Sequence, residues 1–128
     1  MNAEQQERVN GLTAEVIAAA ACVSNTLGCG FLEKVYENAL AAELRARKVR
    51  FSQQAELLVR YREEIVGQYF PDILVDASVI VEIKAVETLT TIHQAQCLNY
   101  LRASGIHVGL LLNFGTPRMQ IRRLVHGF

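Results

Sequence analysis

The stretch FPDILVDASVIVEIKAV, residues Phe70–Val86, decides how this chain folds. Most of it reads as β-strand: Ile73-Leu74-Val75, then Val79-Ile80-Val81, then Ile83 and Ala85. Yet Asp72, Glu82 and Lys84 are set into that apolar pattern. Charged side chains enter such surroundings only when they are paired or bind something. Asp76-Ala77-Ser78 has turn chemistry, so 71–75 and 79–83 are expected to form a hairpin. With those three residues as the loop, 75 pairs with 79, 74 with 80, 73 with 81 and 72 with 82. Strand side chains alternate between faces, so Asp72 lies opposite Glu82 on the face that also carries Lys84. Their Cα atoms would be roughly 4.5–5.5 Å apart. A loop of two or four residues would send the two acids to opposite faces.

Like charges directly opposite one another destabilise a sheet, and two carboxylates that close cannot both ionise unaided. A hard divalent cation, Mg²⁺ or Mn²⁺, resolves the conflict, because such ions prefer carboxylate, carbonyl and water oxygens. The ion can activate a water and stabilise charge on a phosphate. Lys84, beside Glu82 on the same face, can orient that water or offset the charge of the transition state. The plainer alternative is a Glu82–Lys84 pair on a wet strand face, with Asp72 at the strand entrance.

Working outward, Thr13 reads as the cap of a helix over about 14–27, which leaves 1–12 as a flexible N-terminus. Gly28 and Gly30 punctuate the chain before a second helix over about 31–47. Its expected apolar stripe is Leu32, Val35, Ala39, Ala42 and Ala46. The period then becomes alternating. Strands are expected over 49–53, 56–62, 65–75 and 79–85. Thr90 caps a helix that Gly105 stops, Ile106–Asn113 is a buried strand, and 119–125 is a last strand. The order ααββββαββ implies one α/β (α+β) domain over 1–128, a mixed sheet with helices packed on it.

The 128 residues include 51% hydrophobic residues and two prolines, enough apolar surface for a core and no compositional sign of disorder. Lys plus Arg and Asp plus Glu both number 13, so net charge gives no signal for nucleic acid. The distribution is uneven. Glu87 is the last acid, and Arg102, Arg118, Arg122 and Arg123 follow it unopposed. A second basic group is Arg45, Arg47, Lys48 and Arg50. These groups are either solvated faces or a polyanion-binding surface. The odd count of three cysteines, without a CxxC, and the polar start MNAEQQERVN point to a reduced, cytoplasmic protein with no membrane span. His93 and Cys97, one helical turn apart, make a zinc pair only if partners exist elsewhere; Cys97 is otherwise a small core residue.

Pro71-Asp72 followed by Glu82-Ile83-Lys84 resembles the PD-(D/E)XK nuclease superfamily. More narrowly, Gly30-Phe-Leu-Glu33-Lys-Val-Tyr36 is similar to the signature of the GxxExxY protein family within it, and the stretch from Val81 to Gly115 looks like that family too. The resemblance runs from about 13 to 125. It implies a restriction-endonuclease-like αβββαβ core. It implies that Asp72, Glu82 and the main-chain carbonyl of Ile83 bind Mg²⁺ or Mn²⁺, with Glu33 as a further acid and Lys84 as the catalytic lysine. Gln96 and Tyr100 resemble the Q-x-x-x-Y element of the RecB-like branch, whose glutamine and tyrosine line the site. The residues themselves say less: Gln96 and Tyr100 lie i,i+4 on one helix face, and Glu33, Tyr36 and Glu37 are helical neighbours.

The expected function is metal-dependent hydrolysis of phosphodiester bonds in DNA, or less readily RNA. Arg45, Lys48, Arg118, Arg122 and Arg123, with His93, are the expected phosphate contacts. A homodimer is expected, with the apolar IHVGLLLN and the terminal strand as its interface. Two alternatives belong to other classes: a non-catalytic module binding nucleic acid or protein, and a hydrolase of small phosphorylated ligands.

Overall fold

In the computed structural model, which describes all 128 residues, ten elements follow one another. Helix α1 spans Ala3–Leu27, and α2 spans Glu33–Ala46. Strands β1 (Phe51–Gln53), β2 (Leu57–Tyr61), β3 (Glu64–Tyr69), β4 (Ile73–Val75) and β5 (Val79–Lys84) come next. Helix α3 (Thr91–Ser104), β6 (Val108–Asn113) and β7 (Gln120–Val125) complete the chain. The main sheet has the order β1-β4-β5-β6-β7, parallel only between β5 and β6; β2 and β3 form a separate hairpin. No helix is long and apolar enough to cross a membrane.

The expected flexible N-terminus is instead the first part of α1. Asn2 Oδ1 accepts from Gln5 N–H at 2.8 Å while Asn2 N–H donates to Gln5 Oε1 at 3.0 Å, a reciprocal cap. Thr13 is not the cap. It lies inside the helix, with its hydroxyl donating to Asn10 O at 3.0 Å. Val9, Thr13, Val16, Ala20 and Val23 form the buried stripe. The polar residues before Val9 occupy the outer side and hid the period.

The stripe expected for α2 is also displaced. Tyr36, Glu37, Leu40, Ala41 and Leu44 are buried, whereas Leu32 is 80% exposed and Val35 40%. The large side chains Tyr36, Leu40 and Leu44, at i, i+4 and i+8, have more area to bury than a row of alanines and set the rotation of the helix.

The single strand expected over 65–75 is two. β3 ends at Tyr69 and β4 begins at Ile73, with Pro71 between them. Proline brings no N–H to a ladder, so the chain leaves the hairpin there and joins the main sheet. The β4–β5 register is the one expected from a three-residue loop: Ile73↔Val81, Leu74↔Ile80 and Val75↔Val79. Asp76 and Ala77 take positive φ, 49° and 52°, to close it.

Helices α1 and α2 cover one face of the sheet. There Val16, Ala20, Leu40 and Leu44 join Ile73, Val75, Val79, Val81, Ile83, Leu110 and Leu112 in one cluster. On the other face α3 packs on β6. A Cβ at Gly109 would lie 2.9 Å from Cys97 Sγ, so glycine is what lets this helix sit so close. Thr90 caps α3 and Gly105 ends it at φ 76°. β6 is buried along its whole length between β5 and β7, so it cannot supply the dimer interface expected of IHVGLLLN. The sheet's open edges are β1 and β7.

Candidate metal site and its surroundings

The site is built where β4 begins and β5 ends. Extending the β4–β5 register by one residue sets Asp72 across from Glu82. Asp72 Oδ2 accepts from the backbone N–H of Ile83 at 2.7 Å. A strand residue directs its N–H and C=O to the same side, so the Ile83 carbonyl also faces the Asp72 side, past the end of β4. Ile83's side chain goes the other way, into the core. Glu82, Lys84 and Ile80 share the opposite face, under α3.

Glu82 is the least comfortable side chain in the protein. Its Oε1 is buried and has no hydrogen-bond partner, the sole side-chain atom of that kind. Burial, and secondarily the Asp72 carboxylate, push its carboxyl up to about 8, against the partial relief given by Lys84. Burial raises Asp72 too, opposed by the Ile83 N–H. Lys84 makes no ion pair and no side-chain hydrogen bond. Two partly buried acids, one of them with an unbonded oxygen, and an uncommitted lysine thus meet at one strand end.

Sequence reasoning missed the group that holds Asp72 in place. Gln54, at φ 55°, donates its backbone N–H to Asp72 O at 3.1 Å and its side-chain amide to Asp72 Oδ1 at 3.4 Å. The same amide reaches Glu37 Oε1 at 3.1 Å, while Gln53 Nε2 reaches Glu37 Oε2 at 2.8 Å. Lys34 Nζ completes the set, at 3.2 and 3.1 Å from the two Glu37 oxygens. Glu37 is thus a buried, fully bonded carboxylate tied through Gln54 to Asp72. Glu33 lies one turn earlier and is exposed, within electrostatic reach of Asp72 but bonded to nothing. No three His, Cys, Asp or Glu side chains converge closely enough to hold a metal ion by themselves.

On the α3 side, Tyr100 stacks on Tyr69 with ring centroids 3.7 Å apart, and the Tyr69 hydroxyl donates to Tyr100 O at 3.2 Å. Burial raises both phenols, and Glu82 adds to the rise, so the pair stands beside the acid. Gln96 is exposed one turn earlier on the same helix face as Tyr100. His93 belongs to the cap of α3: Nδ1 accepts from Thr90 N–H at 3.2 Å. Cys97 is buried on the inner side of α3, its thiol pushed up to about 12 by burial and by Glu82. The loop after Lys84 is fixed by Asn113, whose amide bonds Val86 N–H and Val86 O at 3.0 and 2.9 Å.

The basic residues separate. Arg47 is consumed by Glu15 and Glu43. Arg45, Lys48 and Arg50 line an open groove along β1. Arg123 bonds Asn10 and lies over Phe128, and Arg122 is exposed on the far edge strand β7. Arg118 borders a recess against α1.

Tyr36, the last residue of the Gly30–Tyr36 motif, is wholly buried. Its hydroxyl donates to Gly28 O at 2.7 Å and accepts from Phe31 N–H at 3.2 Å, and its ring stacks on Phe114 at 4.8 Å. It fastens the turn that presents the start of α2.

A family model of the PD-(D/E)XK nuclease superfamily matches residues 10–124. The chain belongs to the PD-(D/E)XK nuclease superfamily. Pro71-Asp72 and Glu82-Ile83-Lys84 lie within the span that matches this superfamily. Among solved structures, the crystal structure of SSO0001 is similar in fold, with a TM-score of 0.60 at 16% identity, over 75% of this chain and 51% of that one. The chain therefore spans about half the length of that protein. No curated protein matches the sequence. Together with the mixed five-stranded sheet and its flanking helices, these findings establish the restriction-endonuclease-like fold.

Proposed function

We propose that this PD-(D/E)XK protein is a nuclease that depends on Mg²⁺ or Mn²⁺, and that it falls within the GxxExxY family by its Gly30, Glu33 and Tyr36. The observation that carries the reading is the partnerless Glu82 Oε1, buried across from Asp72. An orphaned buried carboxylate oxygen costs stability unless a cation meets it. The donors fit a hard ion: Asp72, Glu82 and the Ile83 carbonyl are all oxygens, and Mg²⁺ keeps several waters when protein supplies few ligands. Glu33, exposed one turn before Glu37, acts through such waters in this reading. The bound ion would supply Lewis acidity toward a phosphate oxygen and a lowered pKa for water.

The chain's own residues do the rest. Ile83 N–H and Gln54 fix the Asp72 carboxylate from two sides. Lys84, free of partners, holds the attacking water in line with phosphorus and offsets charge gathering on the phosphate. Gln96 and Tyr100 form the wall beside Glu82 and restrict where the substrate lies. His93 keeps Nε2 available for a phosphate oxygen while Nδ1 serves the helix cap. The substrate is nucleic acid, DNA in preference to RNA, and three free thiols suit a cytoplasmic setting.

The deciding experiment is metal-dependent cleavage of labelled DNA and RNA by wild type, Lys84→Ala and Asp72→Ala. Cleavage in Mn²⁺ or Mg²⁺ that both substitutions abolish is expected. Cleavage surviving both would remove this site from the chemistry. Tight metal binding without cleavage would leave a binding module.

A further inference from the structure

We propose that the groove along the outer edge of β1 carries the phosphodiester backbone of the substrate away from the metal site. This rests on the nuclease reading and adds the path of the strand to it. The groove has a volume of about 530 Å³ and is lined by Arg45, Lys48, Arg50, Phe51 and Gln53 among others. Its position follows from topology. β1 is the first strand of the sheet, with one edge paired to β4 and the other open. Gln53 pairs with Ile73, next to Asp72, whereas Phe51 pairs with Val75 at the opposite end. The groove therefore starts at the site and runs away from it.

A chain of contacts joins the two. Gln53 bonds Glu37, Glu37 bonds Gln54, and Gln54 bonds Asp72. From Gln53 to Arg50 the strand covers about 10 Å, which matches two or three nucleotides at about 3.4 Å of rise each.

The charges in this groove are available. Arg45, Lys48 and Arg50 have no ion pair, while Arg47, the fourth cation of the same run, is held by Glu15 and Glu43 and stands apart from the groove. The nearby acids are already committed. Glu37 is saturated by Lys34, Gln53 and Gln54, and Asp76, beside the far end of the groove, is paired with Arg8 at 2.8 Å. Arg45 lies over the Phe51 ring at 5.5 Å, which holds the guanidinium against the groove wall. Three uncompensated cations in a row beside a metal-type site complement a row of phosphates. Arg118, Arg122 and Arg123 do not share this line; they lie at or beyond the β7 edge, three strands past β4 in the sheet.

The test is fluorescence anisotropy with a labelled DNA single strand and its duplex, in EDTA so that no cleavage intervenes, over a range of salt. The variants are Arg45→Ala/Lys48→Ala/Arg50→Ala and, with equal loss of charge, Arg118→Ala/Arg122→Ala/Arg123→Ala. The single reversal Lys48→Glu, at an exposed position, guards against misfolding of the triple variant, and circular dichroism checks both. The groove variant is expected to weaken binding about tenfold or more and to flatten the slope of log K against log salt by about 2. The β7 variant is expected to change both less. Equal or reversed ranking, or no binding by wild type, overturns the proposal. Groove-dependent binding by a protein that never cleaves sinks the nuclease reading and leaves the path standing. Cleavage with an indifferent groove does the opposite.

Discussion

At the scale of single residues, the site is defined by imbalance. Glu82 titrates near 4.5 when unfolded and near 8 in the folded protein. Between those values the folded state keeps a proton that the unfolded state has released. Stability of the metal-free protein must therefore fall as pH rises from about 4.5 through about 8, and level off above. Glu82→Gln removes the penalty. It is expected to match wild type near pH 4 and to exceed it at pH 9 by a few kcal/mol in denaturant unfolding, on the order given by the shift. A wild-type curve that rises over this interval would contradict the assignment. Gln54 offers a second residue-scale prediction, because its backbone is left-handed while its amide holds Asp72. Gln54→Ala and Gln54→Gly both lose the amide, but glycine accepts φ 55° without a Cβ penalty. Gln54→Gly is expected to be the more stable by about 1 kcal/mol, with both binding Mn²⁺ more weakly than wild type by titration calorimetry. Glu37 shows what sequence could have yielded here. The i, i+4, i+8 row of Tyr36, Leu40 and Leu44 sets Glu37 beside the buried face of α2, whereas the alanine row suggested the wrong rotation. That Gln53 and Gln54 would bond Glu37 was not legible, since it requires α2 and β1 to meet in space.

At the scale of elements, what could be read was what local chemistry dictates. The 76–78 loop fixed the β4–β5 register, and Thr90 and Gly105 bounded α3. The misread elements were those ruled by non-local packing. α1 extends to Ala3 because Val9 finds the core, and the 65–75 run divides at Pro71 because two different sheets claim its halves. The α3–β6 contact carries a testable consequence. With Cys97 Sγ only 2.9 Å from where a Gly109 Cβ would stand, Gly109→Ala is expected to cost about 1–3 kcal/mol by overpacking. Cys97→Ala in the same chain should return part of that loss, since it vacates the sulfur's space. A double-mutant cycle measures the coupling, and strict additivity would mean that the helix simply moves outward.

For the whole molecule, the proposed metal site would link metal, proton and fold through one strand end. A cation that binds the folded site and not the unfolded chain stabilises by RT ln(1 + [L]/Kd), about 2.7 kcal/mol at a hundred times Kd. Its ligands must be deprotonated, and the Glu82 carboxyl releases its proton near pH 8. The gain in melting temperature from saturating Mn²⁺ or Mg²⁺ is therefore expected to be small at pH 5.5 and to grow through pH 8, as the penalty on the metal-free protein also grows. Asp72→Ala should abolish the gain, because the ion loses a ligand that Ile83 and Gln54 had oriented. Glu82→Gln should abolish its pH dependence. Lys84→Ala should leave the gain intact or enlarge it, since an uncompensated cation beside the site opposes a second positive charge. That last contrast separates two roles that a cleavage assay merges. A lysine that acts on water and phosphate can be lost without loss of metal, whereas a carboxylate that holds the ion cannot. Thermal shift across pH on these three variants resolves the division of labour even if the natural substrate is never supplied.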